Sequence, residues 1–141
     1  MTPVSILFLR TGLLMLVGGM AIGAAGLIEP SWMTHERAVT HTHLLLVGWL
    51  LNTVIGVAWW MFPRLPGTVA PSRLVVAGWA ALNAGLLLRA GVDLFAGGMP
   101  QAPVLLRWIS AVLQTGGIAL LAALLWRRVR APSARPRQQA R

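Results

Sequence analysis

Four long apolar blocks constrain this sequence more than any other feature. They lie at about residues 4–28, 38–62, 71–95 and 103–126, and each holds roughly 20 to 26 predominantly apolar residues. An α-helix of that length, rising about 1.5 Å per residue, crosses a hydrocarbon core of about 30 Å. Within lipid, only helices and closed barrels satisfy their own backbone hydrogen bonds. The sequence therefore predicts an all-α membrane protein, a four-transmembrane-helix bundle over residues 1–128.

Composition excludes an ordinary soluble domain. Hydrophobic residues make up 57% of the chain and charged residues 11%, whereas soluble domains carry about 25% charged residues. The chain has no cysteine, which excludes disulfides and thiolate metal ligands. Its formal charge of +9 comes from arginine, concentrated near the C-terminus. We expect residues 129–141 to form a disordered basic tail that lies on anionic membrane lipid, and we expect no nucleic-acid partner.

The placement of arginines predicts the orientation of the bundle. Arg64 and Arg73 lie between the second and third spans, and the basic tail follows the fourth span on the same side. The opposite side has only Arg37 beyond the membrane interior. Because cytoplasmic loops carry the excess of positive charge, we expect both termini to be cytoplasmic in a bacterial inner membrane. Residues 29–37 and 96–102 then face outward.

Small and amide residues inside the spans predict how the helices meet. Gly19 and Gly23 form a G-x-x-x-G pattern, which lets helix backbones approach closely in lipid. Asn52, Asn83 and Gln114 lie in mid-membrane positions, where amides usually form hydrogen bonds between helices. These residues predict tight packing, within one chain or between chains.

Ionisable side chains inside the predicted spans mark a candidate site. Charged groups are costly within a bilayer, so each is a functional hypothesis. Counted from the span boundaries, these side chains all fall in the outer third of the membrane, although they come from three different spans. Their convergence predicts one polar site near the outer face. The residues are His41, His43, Arg89, Asp93 and Arg107.

The two histidines inside the second span lie about 200° apart around a helix. From one helix, His41 and His43 therefore cannot bind the same metal ion, but they can present imidazoles to two faces. Imidazole is a ligand of haem iron, zinc and copper, so the spacing suits two redox centres, or one centre and a hydrogen-bonding histidine. The alternative is a pair of interface histidines bonded to neighbouring helices. Whether His35 takes part is left open.

The segment from His41 to Arg64, HTHLLLVGWLLNTVIGVAWWMFPR, resembles the tenth helix of haem-copper oxidase subunit I. It is particularly similar to the versions in nitric oxide reductases and in high-affinity oxidases fed by cytochrome c. There, H-x-H opens a helix that continues through glycine and aromatic residues to a terminal Pro-Arg. The chain also resembles short four-span bacterial proteins described as subunit-I-like. The resemblance implies that His41 corresponds to the high-spin haem ligand and His43 to the low-spin haem ligand.

The departures from subunit I limit what the resemblance implies. The chain has no second H-x-H, no separate group of three histidines for copper and no tyrosine. Only one span resembles the family well, whereas full-length subunit I has many more spans. A complete terminal oxidase therefore cannot be assembled from one chain. What the resemblance still implies is binding of haem b, with copper as the alternative metal.

Other residues are candidates for completing a haem site. Met20 lies at a comparable depth in the first span and is a candidate second axial ligand, or a symmetry-related chain supplies that ligand in a homo-oligomer. Arg89 and Arg107 suit the haem propionates, because arginine binds carboxylates with paired hydrogen bonds. Asp93 follows Arg89 by four residues, so an ion pair along one helix face is the competing role of Arg89.

Together these features favour a membrane-bound b-type haem protein for electron transfer or redox and gas sensing, beside respiratory electron-transfer proteins. The alternative is a copper or haem delivery or respiratory-complex assembly protein that uses the same histidines without redox turnover of its own. A third choice is a small four-span transporter. It is disfavoured because the first span has no carboxylate of the kind that drug/proton exchangers of this size use.

Overall fold

The computed structural model describes residues 2–62, 72–95 and 104–129, and its regular structure in these ranges is helical. Four helices there are long and apolar enough to cross a membrane, which confirms the predicted fold class and the multi-pass membrane character. A short 3₁₀ turn, Pro30–Trp32, lies between the first two. The four helices are α1 (Pro3–Ile28), α2 (His35–Met61), α3 (Ser72–Phe95) and α4 (Val104–Trp126).

Helix ends agree with the predicted spans to within about one turn. The largest difference is at α2, which begins at His35 because the Thr34 hydroxyl accepts a hydrogen bond from the Arg37 backbone N–H at 3.4 Å. Thr34 is therefore the N-cap of α2, and the cap adds a polar first turn to the span. Apart from Val129, the predicted disordered tail lies outside the described residues, as does the segment 96–102. The orientation of the termini stays a prediction.

Packing within the bundle joins α1 to α2 and α3 to α4, and the first half of α2 also contacts α3. Glycines allow the close α3–α4 approach: a Cβ at Gly85 would lie 2.8 Å from the Ser110 backbone oxygen, and one at Gly117 would lie 2.6 Å from the Leu82 backbone nitrogen. Because apolar side chains gain little by leaving lipid, such close packing is what holds helices together. The largest buried cluster contains Phe8, Ile55, Trp59, Val75, Leu82, Leu121 and Leu124.

The middle of α2 is a π-helical segment, Leu44–Leu51, directly after the two histidines. Asn52 follows this segment. Its side-chain nitrogen Nδ2 donates to the Gly48 carbonyl at 2.8 Å and to the Asn83 side-chain oxygen at 3.0 Å. Asn83 donates back to the Asn52 side-chain oxygen at 3.2 Å. These bonds confirm the predicted interhelical role of both amides. Widened helical turns of this kind are frequent at functional sites.

Candidate functional site

A buried carboxylate joins three helices at one end of the bundle. We name this the histidine end; it comprises residues 29–34, the first turns of α2 and α4 and the last turns of α3. Asp93 is 1% exposed there. Its Oδ2 accepts a hydrogen bond from the Thr40 hydroxyl of α2 at 2.9 Å. It also forms ion pairs with Arg89 of α3, at 3.3 Å, and with Arg107 of α4, at 3.4 Å. We call these four residues the Asp93 cluster.

The Asp93 cluster carries more positive than negative charge. Two guanidinium groups surround one carboxylate, and their side chains stay 31% exposed at Arg89 and 41% exposed at Arg107. Neither ion pair has hydrogen-bond geometry: within the described part of the chain, Asp93 Oδ1 and the Nε atoms of both arginines are buried and have no hydrogen-bond partner. The Nε atoms are therefore closed off, and only the exposed part of each arginine side chain is open to an anion. The sequence predicted the pairing of Asp93 with Arg89; the pairing with Arg107 is an additional finding.

Arg37, in the first turn of α2, forms hydrogen bonds at the same end of the bundle. Its guanidinium donates to the Trp32 carbonyl at 2.7 Å and to the Leu94 carbonyl at 3.4 Å. It also lies over the Trp32 ring, 4.5 Å from the ring centroid. By binding a carbonyl in the last turn of α3, Arg37 satisfies an otherwise unpaired helix end. This side chain therefore joins the start of α2 to the end of α3, one residue beyond Asp93.

His41 faces α1 through an anchored imidazole. Its Nδ1 lies 2.7 Å from the Gly19 carbonyl oxygen; since a carbonyl only accepts, Nδ1 is the donor, and a neutral ring in this position has its proton there. The other nitrogen, Nε2, then carries a lone pair that can bind a metal. The ring lies on Gly23, where a Cβ would be 2.8 Å from the ring Cε1. The G-x-x-x-G pattern therefore gives room to an imidazole within one chain.

The imidazole of His43, on another face of α2, is also held by a backbone carbonyl. Its Nδ1 lies 2.9 Å from the Val39 carbonyl oxygen one turn earlier, which again leaves Nε2 with the lone pair. Around the helix, His43 is about 60° from Thr40 in one direction, and His41 is about 100° from Thr40 in the other. Thr40 donates to Asp93, so helix geometry puts half-buried His43 closer than His41 to the side of α2 that faces the Asp93 cluster. The two imidazoles lie on different faces of α2, as their spacing predicted.

A groove of about 500 Å³ lies beside His41, between α1 and the start of α2. Met20 is 57% exposed and lines this groove. The candidate axial ligand Met20 thus shares a surface with His41. His43, on the other side of α2, needs its second ligand from elsewhere. Gly23, Gly26, Met33 and Leu45 also line the groove.

Sequence reasoning missed two residues of these surroundings. Thr40 had one usable signal, since it is a polar residue in an apolar span directly before H-x-H. Met33 had none, because it precedes the second span and only the chain reversal at Pro30–Trp32 brings it to the groove. His35 is exposed at the first residue of α2.

The histidine end thus combines two anchored imidazoles with a positively charged cluster. Among the described residues, no three histidine or acidic side chains lie close enough together to hold a metal ion. In comparisons with known protein families, curated proteins and solved structures, no match to this chain was found. A functional assignment therefore depends on the chemistry of these side chains.

Proposed function

We propose that this protein is a b-type haem protein of the bacterial inner membrane that carries single electrons or senses redox state, with His43 as an axial ligand. The observation that carries the proposal is the anchoring of the His43 ring: Nδ1 donates to the Val39 carbonyl and leaves Nε2 as a free ligand. Metal-binding histidines are typically oriented by such a bond to a carbonyl. The resemblance of His41–Arg64 to subunit I implies the same role for His43.

The residues around His43 fit a haem group. Bound haem would supply a one-electron iron couple at this position. Arg89 and Arg107, held in place by Asp93, offer guanidinium donors to the anionic propionates. Their positive charge stabilises a site that gains an electron, and the surrounding apolar helices screen that charge poorly. His43 orients the group, and the Asp93 cluster sets the charge near it.

A second copy of the chain is the proposed source of the second axial ligand. His41 lies on a different face of α2, about 200° from His43, so one chain cannot place both imidazoles on the same iron. A two-fold axis, in contrast, puts the same residue on both sides of an interface. We therefore propose a homo-oligomer in which two His43 side chains face each other, beside respiratory electron-transfer proteins.

A visible absorption spectrum tests the proposal most directly. The full-length chain, produced with sufficient haem and purified in detergent, is expected to show a Soret band and, after reduction, sharp α and β bands typical of low-spin haem. A folded but colourless protein would disprove the proposal. A protein that binds haem, gives no reversible couple and transfers the haem to an apoprotein acceptor would instead support the delivery function.

Replacing Arg107 with glutamine tests the role of the cluster. Arg107→Gln removes a positive charge beside the haem, so we expect a lower reduction midpoint and faster loss of haem to an apomyoglobin acceptor. The fold should persist, because Arg107 is 41% exposed and Asp93 keeps Arg89 and Thr40. Redox titration measures the midpoint. Arg10→Gln, an exposed arginine of α1, is the matched control, and equal midpoints in both variants would exclude the propionate role.

A further inference from the structure

Three side chains with metal-binding atoms, those of Met20, His41 and Met33, line the groove. They lie at three successive positions along α1. Met20, Gly23 and Gly26 follow each other at three-residue intervals, so neighbouring positions lie about 4.5 Å apart along the helix axis. The His41 ring lies on Gly23, and the Met33 side chain lies on Gly26, where an added Cβ would be 3.2 Å from the Met33 Cβ. The imidazole of His41 is therefore flanked along the groove by one methionine on each side.

The chemistry of these donors is soft and neutral. His41 offers Nε2, because its Nδ1 proton is bound to Gly19, and each methionine offers a thioether sulfur. None of the described residues that line the groove is acidic. Calcium and magnesium require oxygen ligands, and structural zinc sites use thiolate, imidazole or carboxylate. Thioether sulfur selects monovalent copper, an ion whose single charge needs little compensation from the protein.

We propose that His41, Met20 and Met33 form a binding site for Cu(I), separate from the haem proposed at His43. The two sites use opposite faces of α2, and the copper site does not depend on the haem proposal. The proposal concerns binding alone. The three donors stabilise monovalent copper, so binding involves no change of oxidation state and needs no redox partner.

Access to the groove suits exchange of the ion. Met20 is 57% exposed, and methionine has three rotatable bonds, so its sulfur adjusts to an incoming ion without movement of the helix. Gly23 and Gly26 provide the space: a side chain at either position would occupy that of His41 or Met33. The proposed role is reversible capture of Cu(I).

A competition titration tests the site. The full-length chain in detergent is titrated with Cu(I) under ascorbate against a chromophoric Cu(I) chelator. We expect one ion per wild-type chain, its loss in His41→Ala, and a weakening of roughly 10- to 100-fold in Met20→Leu and in Met33→Leu, as for other changes around metal sites. Methionine to leucine conserves volume, so the fold should be kept, and circular dichroism checks this.

Met61→Leu is the matched control, because Met61 is a 67% exposed methionine at the far end of α2 that lines a different groove. It should bind Cu(I) as wild type does, and His43→Ala should lose haem but keep copper. The proposal is overturned if wild type takes up no stoichiometric Cu(I), if His41→Ala binds it equally well, or if Met61→Leu weakens binding as much as Met20→Leu. It is also overturned if Met20→Leu changes the haem spectrum but not the copper affinity, because the groove then holds haem.

Discussion

His43→Ala is expected to remove most of the bound haem while leaving a folded, membrane-inserted chain. The proposed axial ligand is lost, whereas the hydrogen bond lost with it, from His43 to the Val39 carbonyl, lies within α2 and does not join two helices. The remaining helices still satisfy their own backbone hydrogen bonds. Haem per chain, measured as the pyridine haemochrome, should fall by about tenfold or more, as for loss of about 1.4 kcal/mol or more of binding free energy.

Two histidine variants serve as controls for this result. His35→Ala changes an exposed residue at the start of α2 and should keep its haem. His41→Ala removes the hydrogen bond to Gly19 of α1, so it should cost about 1 kcal/mol of stability with little change in haem content. Full haem retention in His43→Ala would refute the ligand assignment, and loss of haem in His41→Ala would instead indicate a second haem.

The number and type of helices followed from the sequence because membrane thickness sets the length of a spanning helix. Four apolar blocks could become little else in lipid, and the structure places all four helices within about one turn of the predicted bounds. The start of α2 differed because capping determines a helix end more than hydropathy does. Thr34 caps a turn that contains Glu36 and Arg37, residues that a hydropathy pattern assigns to a loop.

Partners within a helix were predictable, whereas between helices the sequence indicated which residues take part, as for Asn52 and Asn83, but not which residues pair. Arg89 and Asp93 are four residues apart, so their pairing follows from helix geometry alone. The bonds of Asp93 to Thr40 and Arg107 depend on how α2 and α4 are rotated about their own axes, which a single sequence does not specify. For the same reason the sequence showed that His41 and His43 face different ways, but not that His41 reaches Gly19.

Two further features left no usable signal in the sequence. The π segment, Leu44–Leu51, is as apolar as an α-helical span, so hydropathy does not distinguish the two. Arg128 counted only as part of the basic C-terminal region. In the structure it lies 3.5 Å from the centroid of the Trp59 ring and donates to the Trp59 carbonyl. A basic residue used only to predict orientation thus also packs against the end of α2.

Replacement of Asp93 should produce the largest loss of stability in the bundle. The carboxylate is 1% exposed and contacts Thr40 of α2, Arg89 of α3 and Arg107 of α4. Removal of one member of a buried ion pair costs about 3–5 kcal/mol. Both arginines here are partly exposed and can turn toward water, so we expect about 2–3 kcal/mol for Asp93→Ala after that discount. Unfolding of the purified protein by SDS in mixed micelles measures the change.

Asp93→Asn separates the charge of this residue from its shape. The amide oxygen still accepts the Thr40 hydrogen bond, so Asp93→Asn should be more stable than Asp93→Ala. The control is Glu29→Gln, which changes an exposed acidic residue between α1 and α2 and should be as stable as wild type. Equal stability of Asp93→Ala and wild type would contradict the role of the cluster in joining three helices.

If haem lies beside the cluster, loss of this negative charge raises the reduction midpoint, whereas Arg107→Gln lowers it. Opposite shifts in the two variants would distinguish an electrostatic effect on the haem from a general loosening of the fold, which would move both midpoints in the same direction.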